Sequence, residues 1–298
     1  MFVMINIKSL TKKYVDSVIL KDINLDISRG QLTTLLGQNG AGKSTLLRII
    51  AGQEFPTSGV VNFQDNNVHH LSFNSGNEMI FINELIEIYF NKSAEEYSIA
   101  VSENYPNYDH QIFLSMMNDC QIDIAKNFQE FSRGQRMQYL LAHALACKPK
   151  ILLLDEITSV IDVYARKYFL DALRSYCDDG GSVLITTNII SELEFYTDHL
   201  IILKNEKIVL SGSGREVMDQ FLKLRKTNEN EGHPIFEHSK CVWSNTNSDR
   251  SQSFIIPKSE IGQEVPKELL DRRQSTLEDI FIYYFNGLEK KVESENAA

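Results

Sequence analysis

A chain of 298 residues, 43% hydrophobic and 23% charged, has the apolar material for a sizeable core and the length for one full domain plus a smaller unit, which excludes global disorder. Its formal charge of −10 has the wrong sign for a footprint on a phosphate backbone, so no nucleic-acid partner is expected. Cys120, Cys147, Cys177 and Cys241 are too few for a disulfide scaffold and too far apart for paired zinc ligands, and no apolar run approaches the roughly 20 residues of a spanning helix.

In chain order, the opening MFVMINIKSLTKKY reads as strand and turn rather than a signal peptide, and VILKDINLDI alternates apolar and polar residues as a half-buried strand does. Arg29 and Gly30 mark a turn. LTTLLG, residues 32–37, is a short apolar strand that runs into a glycine-rich loop and then a helix over about residues 43–51, stopped by Gly52. Between Val60 and Phe131, apolar residues recur at helical spacing in MIFINELIEIYF and DHQIFLSMM, which predicts a mainly helical insert at about residues 76–133.

Beyond Gly134, MQYLLAHALAC is helical, and Pro149 separates it from the apolar strand ILLLD, residues 151–155. A helix over 164–177, the strand SVLIT at 182–186 and strands near 200–204 and 207–210 follow. Such alternation predicts an α/β fold with a parallel sheet covered by helices. After Gly214 come the polar tracts TNENEGH and SNTNSDRSQS, so the expected domains are 1–214 and a smaller 215–298. STLEDIFIYYFNGL should close the chain as a helix, with Ser275 and Glu278 as its capping box and Ile280, Phe281, Tyr283, Tyr284 and Leu288 as core or dimer contacts. Trp243 is expected to be a packing residue, and His69 and His70 plain loop histidines, since adjacent side chains on a strand diverge.

Gly37, Gln38, Asn39, Gly40, Ala41, Gly42, Lys43 and Ser44 spell GQNGAGKS, which satisfies G-x-x-x-x-G-K-[ST] between a strand and a helix. The glycines let backbone N–H groups face phosphates, Lys43 meets the β and γ oxygens, Ser44 offers a magnesium ligand, and Thr45 follows on the same first turn. ILLLDE supplies the second half of such a site: Asp155 positions the metal, and Glu156 is placed to polarise an attacking water as general base.

FSRGQ, residues 131–135, resembles the signature motif of ATP-binding cassette (ABC) proteins and lies between the phosphate loop and the acidic strand, as it does in that family. Arg133 stands where glycine is commoner. The resemblance implies a P-loop NTPase fold of ABC type, with a parallel core sheet flanked by helices, an N-terminal antiparallel β subdomain, a helical insert and here a small C-terminal α+β extension. It implies an ATPase using ATP and Mg²⁺, with Ser44 and Asp155 on the metal and Tyr14 stacked on adenine. Two cassettes, as homodimer or heterodimer, would sandwich nucleotide between the phosphate loop of one and Ser132, Gly134 and Gln135 of the other. The SVID stretch resembles the loop after the catalytic glutamate, with Asp162 reaching across that dimer.

Two positions depart from the family. Its switch histidine falls at Asn188, which can still contact phosphate but cannot carry a proton, so the implied catalytic set is Glu156, Lys43 and Asn188. Its loop glutamine is missing, no glutamine lying between Gln64 and Gln111, and Asn74 or Asn77 are the available stand-ins.

The ending STLEDIFIYYFNG is similar to the close of drug-exporter cassettes of the daunorubicin-resistance type. That resemblance implies an exporter motor at the inner face of the cell membrane, driving a separate integral-membrane permease. The alternatives are a soluble cassette scaffold, as in iron–sulfur assembly, or a degenerate cassette paired with a more active one. A single set of motifs counts against translation-associated cassettes, which carry two.

Overall fold

In a computed structural model, the residues described are 2–15, 17–70, 78–83, 92–187, 190–238, 240–249, 251–261, 265–271 and 273–286. The chain divides into two compact units, Met1–Ile189 with Tyr196–Ser211, and Ile190–Phe195 with Gly212–Ala298. Asn74, Asn77, Asn188 and Leu288 lie outside the described residues.

The first unit opens on a long hairpin, β1 (Val3–Tyr14) and β2 (Ser17–Ser28), which with β4 (Ser58–Phe63) and β5 (Asn66–Asn67) makes an antiparallel sheet in the order β2-β1-β4-β5. The second sheet has the order β10-β9-β3-β8-β7-β6, from β3 (Leu32–Leu36), β6 (Met79–Asn83), β7 (Ile151–Asp155), β8 (Ser182–Thr186), β9 (His199–Lys204) and β10 (Lys207–Ser213). Every adjacent pair from β9 to β6 is parallel. Strands β3, β7 and β8 are buried at all five positions, as expected where both faces are covered, and this is why they read as continuous apolar runs. Ile5, Ile7, Val61 and Phe63 of the first sheet share one core with Leu35, Ile151, Leu153 and Leu184 of the second.

One sequence expectation is corrected here. Residues 79–83, read as the start of a helical insert, form β6, whose five residues pair in parallel with the five of β7. The run MIFIN is too short for a helix to be distinguished from a buried strand by period alone. The rest of MIFINELIEIYF, residues 84–90, lies outside the described residues; among those described, the helices of the insert are α2 (Ala94–Ser102) and α3 (His110–Asp119), ahead of α4 (Arg133–Ala146). They meet around a cluster of rings: Tyr139, fully buried, donates its hydroxyl to the Ala94 carbonyl at 2.9 Å and packs against Phe113 and Phe128.

Helices α5 (Val163–Asp178), α6 (Ile190–Leu193), α7 (Gly214–Asp219) and α8 (Leu277–Asn286) follow among the described residues. In the second unit, β11 (Phe221–Lys226), β12 (Val242–Thr246) and β13 (Gln252–Pro257) form an antiparallel sheet in the order β11-β13-β12. Helix α8 is capped one residue later than expected: Asp279 N–H donates to Thr276 Oγ1 at 3.1 Å and Thr276 N–H returns a bond to Asp279 Oδ2 at 2.9 Å. Asp279 also takes the Lys223 ammonium at 2.6 Å, both side chains being nearly buried, which explains why this pair rather than Ser275 and Glu278 sets the helix start. Trp243, expected to be a packing residue, is 47% exposed on β12. The four cysteines are free thiols, and burial pushes Cys147, Cys177 and Cys241 up to about 12, so they stay protonated.

His143 sits inside the ring cluster of the insert, with Nε2 3.3 Å from the Ser98 carbonyl and Nδ1 3.6 Å from Cys147 Sγ. Burial lowers its pKa from 6.5, against the opposing hydrogen bond to Ser98. The unfolded chain therefore takes up this proton first as pH falls, so the stability held by neutral His143 is complete above about pH 6.5 and is lost below it. The melting temperature of the parent should drop between about pH 7.5 and 5.5, and that of His143→Gln should drop less. Parallel pH profiles for the two proteins would remove His143 from the acid response.

Candidate functional site

The site is built where parallel strands end. β3 runs through Gly37 into a loop and then α1 (Lys43–Ile50). Gly42 precedes the helix at φ 102°, a left-handed conformation, and a Cβ there would meet the Ile19 carbonyl at 3.0 Å. Only glycine fits both conditions. A cavity of about 360 Å³ opens at this point, lined by Asn39, Gly40, Gly42, Lys43, Ser44, Thr45, Ile19 and Glu156.

The N-terminus of α1 is electrostatically incomplete. Helices α2, α3, α4 and α5 are each capped by a side chain, Ser93, Asp109, Ser132 and Asp162, whereas α1 has no side-chain cap and no acidic residue in its first turn. The first N–H groups of a helix have no intrahelical partner, and with the dipole they make a binding point for an anion. Beside them the Lys43 ammonium is 96% buried in its own loop, donating to the carbonyls of Gly37 at 2.9 Å and Gln38 at 3.2 Å, with Glu156 Oε1 at 3.4 Å. The arrangement offers a fixed positive charge and free N–H groups in one small cavity, which suits a phosphate group.

Asp155 ends β7, buried, and accepts a 2.7 Å bond from the hydroxyl of Thr186 at the end of β8. The same hydroxyl accepts from the Glu156 N–H at 3.0 Å. Glu156 is left-handed, at φ 54° and ψ 27°, a conformation that carries strain of order 1–2 kcal/mol in a non-glycine residue and that marks functional positions. The turn aims its carboxylate back at the cavity instead of continuing the strand. Sequence reading missed Thr186, because its role comes from cross-strand register and from no motif.

Tyr14 lies at the end of β1, 41% exposed, with Lys12 Nζ 4.9 Å from its ring centroid. Its hydroxyl bonds Glu54, which also takes Lys12 at 2.9 Å and Arg48 at 3.5 Å. The bond to Glu54, then burial, raises the Tyr14 pKa; burial would raise the Glu54 carboxyl, but the bonds from Tyr14 and Lys12 outweigh it and hold it low. Glu54 is a second residue the sequence reading missed.

Ser132, Gly134, Gln135 and Asp162 do not line this cavity. Ser132 and Gln135 form a reciprocal capping box at the start of α4, with bonds of 3.2 and 3.0 Å. A Cβ on Gly134 would meet the Val160 carbonyl at 3.0 Å, so α4 packs there against the loop that leads to Asp162. Asp162 caps α5 through Tyr164 and Ala165 N–H groups, both at 3.0 Å, and lies 3.4 Å from Gln138 Nε2 of α4. His69 stacks on Phe55 with ring centroids 4.3 Å apart. Among the described residues no group of three His, Cys, Asp or Glu side chains is placed to hold a metal.

The family described as ABC transporter matches residues 20–159, from β2 past Glu156. The chain carries an ABC transporter ATP-binding domain. It is 28% identical over 288 residues to an uncharacterized ABC transporter ATP-binding protein of Methanocaldococcus jannaschii, covering 91% of this chain and 97% of that one. It is 25% identical over 224 residues to the spermidine/putrescine import ATP-binding protein PotA of Mycoplasma capricolum subsp. capricolum, covering 72% of this chain but 63% of the relative. Among solved structures, an ATP-binding subunit of an ABC transporter superposes with a TM-score of 0.67 at 21% identity, over 73% of this chain and 92% of that one. A dimeric ATP-binding cassette in a post-hydrolysis state, bound to ADP and Pi, gives 0.63 at 23% identity, over 71% and 99%. These structural likenesses establish the fold, a P-loop cassette of ABC type.

Thr186→Val removes both hydroxyl bonds at constant shape. Hydrogen bonds to charged groups contribute about 1.5–3 kcal/mol, so ATP turnover is expected to fall at least about tenfold, with ATP affinity nearly kept and Thr186→Ser near the parent. Steady-state turnover and calorimetry check this; a valine variant as fast as the parent would show that Asp155 and Glu156 hold position without it.

Proposed function

We propose that this subunit hydrolyses ATP to drive export through a separate integral-membrane permease, working as one of two cassettes in a dimer at the cytoplasmic face of the membrane. The observation that carries the ATP-dependent part is the uncapped N-terminus of α1 beside buried Lys43, faced across 3.4 Å by Glu156. On this reading the β and γ phosphates take the N–H groups of the first turn and draw the Lys43 ammonium from the Gly37 and Gln38 carbonyls. Glu156 accepts the proton of the attacking water. The Ser44 hydroxyl and Asp155 carboxylate are the oxygen donors that a hard cation prefers, and they would hold Mg²⁺. Bound there with nucleotide, magnesium supplies positive charge for the phosphate oxygens. Tyr14 is the base-stacking candidate, while Ser132, Gly134, Gln135 and Asp162 serve the nucleotide of the partner cassette.

The outward direction rests on the C-terminal unit. Its closing segment, STLEDIFIYYFNG, resembles that of drug exporters. The importer relative aligns over 72% only. The cargo class that goes with this resemblance is a drug, antimicrobial peptide, lipid or polysaccharide. No described helix is long and apolar enough to cross a membrane, and on this reading the permease supplies the path for cargo.

Glu156→Gln preserves shape but cannot accept a proton; it is expected to keep ATP affinity, lose at least about a hundredfold in turnover, and run as a dimer on gel filtration with ATP and magnesium. A monomeric variant that still hydrolyses ATP at the parent rate would refute the assignment. For the direction of transport, purification of the tagged chain from detergent-solubilised native membranes should bring down a multi-helix protein. Inverted vesicles holding that complex should then accumulate cargo with ATP. A chain recovered wholly from the soluble fraction without a membrane partner sinks the transporter reading, and uptake in right-side-out vesicles sinks the exporter one.

A further inference from the structure

A cavity of about 580 Å³ lies wholly within the second unit and shares no residue with the nucleotide cavity. We propose that it is a binding site for a small aromatic anion. Its position follows from the sheet. In the antiparallel order β11-β13-β12, the start of β11, the end of β13 and the start of β12 fall at one end of the sheet, and Phe221 is in register with Pro257. Phe221, Pro257 and Val242 therefore converge there, and α8 adds Tyr283 and Tyr284.

The wall is aromatic on more than one plane. Phe221 and Tyr283 meet edge to face with centroids 5.1 Å apart, and Tyr283 and Tyr284 stand at 89° to each other at 5.4 Å. A flat ring can stack on one face while meeting the edge of another, the geometry aromatic groups prefer. The volume falls within the roughly 300–1,000 Å³ span of small-molecule sites, which combine an apolar lining with a few placed polar groups.

Those polar groups set the charge of the ligand. Lys240 and Lys258 both line the cavity, each just beyond a strand end, and their backbones are tied: Lys258 N–H donates to the Gln220 carbonyl at 2.8 Å and Lys240 N–H to His238 Nδ1 at 3.2 Å. Neither ammonium has a carboxylate within ion-pair distance among the described residues. Asp219 is the one carboxylate in the lining, Glu260 acting on Tyr283 from outside it, so the cations that line the cavity outnumber the anions two to one. Such an excess in a protein of net charge −10 is a local exception to the surface around it.

The test uses the full chain and 8-anilinonaphthalene-1-sulfonate, an aromatic monoanion whose fluorescence rises on binding, with neutral N-phenyl-1-naphthylamine as its uncharged counterpart. The sulfonate should fill one saturable site per chain, be unaffected by saturating ATP, and bind at least about tenfold more weakly to the Lys240→Ala, Lys258→Ala double variant, the loss of about one charge-assisted bond. The neutral probe should bind parent and variant alike. Both lysines are partly exposed, so the variant keeps its fold, and an unchanged melting temperature verifies this. Absence of a saturable site, displacement of the probe by ATP, or equal sulfonate affinity in parent and double variant overturns the proposal, and none of these outcomes bears on ATP hydrolysis.

Discussion

One row of residues across the parallel sheet holds the nucleotide site together. Leu35 of β3 is in register with Thr186 of β8, and Thr186 with Asp155 of β7. The phosphate loop leaves from β3 and the acidic pair from β7, and these strands are not neighbours: β8 runs between them. Shifting β7 by one residue would turn Asp155 to the other face of the sheet, since side chains alternate along a strand. Burial of both faces does not by itself choose the register of so apolar a run; its polar ends do, because a slip toward either side would draw the half-exposed Lys150 or the acidic pair into the buried rows. Thr186 then converts register into chemistry, with one hydroxyl held by both members of the acidic pair. The site lies beyond the carboxyl ends of the strands, where α/β sheets open toward ligands.

The second constraint is electrostatic. Four helices of the first unit end their N-terminal N–H groups on a serine or aspartate of their own, at distances near 3 Å. Helix α1 lacks such a group, and the neighbouring ammonium of Lys43 is satisfied by its own loop's carbonyls and by Glu156. Burying an ammonium without partners is prohibitive, so these acceptors hold the Lys43 ammonium beside the cavity. The unmet donors of α1 and the held charge of Lys43 point at the same volume, and together they favour an anion over any neutral occupant.

Local patterns made the phosphate loop, the strands β3, β7 and β8 and the helix α4 legible in the sequence, because each is a contiguous run with its own period or motif. What escaped depends on residues far apart in the chain. MIFIN becomes a strand through pairing with β7, some 70 positions later, and helical spacing in a short apolar run could not reveal that. Thr186 and Glu54 carry no motif; their roles arise from a cross-strand neighbour and from a cluster with Lys12, Tyr14 and Arg48. At α8 the rule of a capping box was right in kind and wrong by one residue. Thr276 and Asp279 win because Asp279 is also the buried partner of Lys223, a tertiary fact.

The same residues can serve the fold and the chemistry, and this sets how their substitutions should be read. Ser132 and Asp162, chosen from the family pattern for contact with a partner's nucleotide, each already accept backbone N–H bonds at a helix start. Replacing such a cap by alanine costs about 1 kcal/mol of stability whatever else the side chain does. Loss of activity in an alanine variant at either position is therefore evidence for neither role alone. The two separate by chemistry: asparagine in place of Asp162 retains a capping acceptor but loses the charge, and aspartate in place of Ser132 retains the cap but brings a negative charge toward phosphate. A helix cap tolerates both exchanges, whereas a group that meets the γ-phosphate of a second cassette tolerates the aspartate poorly, since like charges in a closed interface repel.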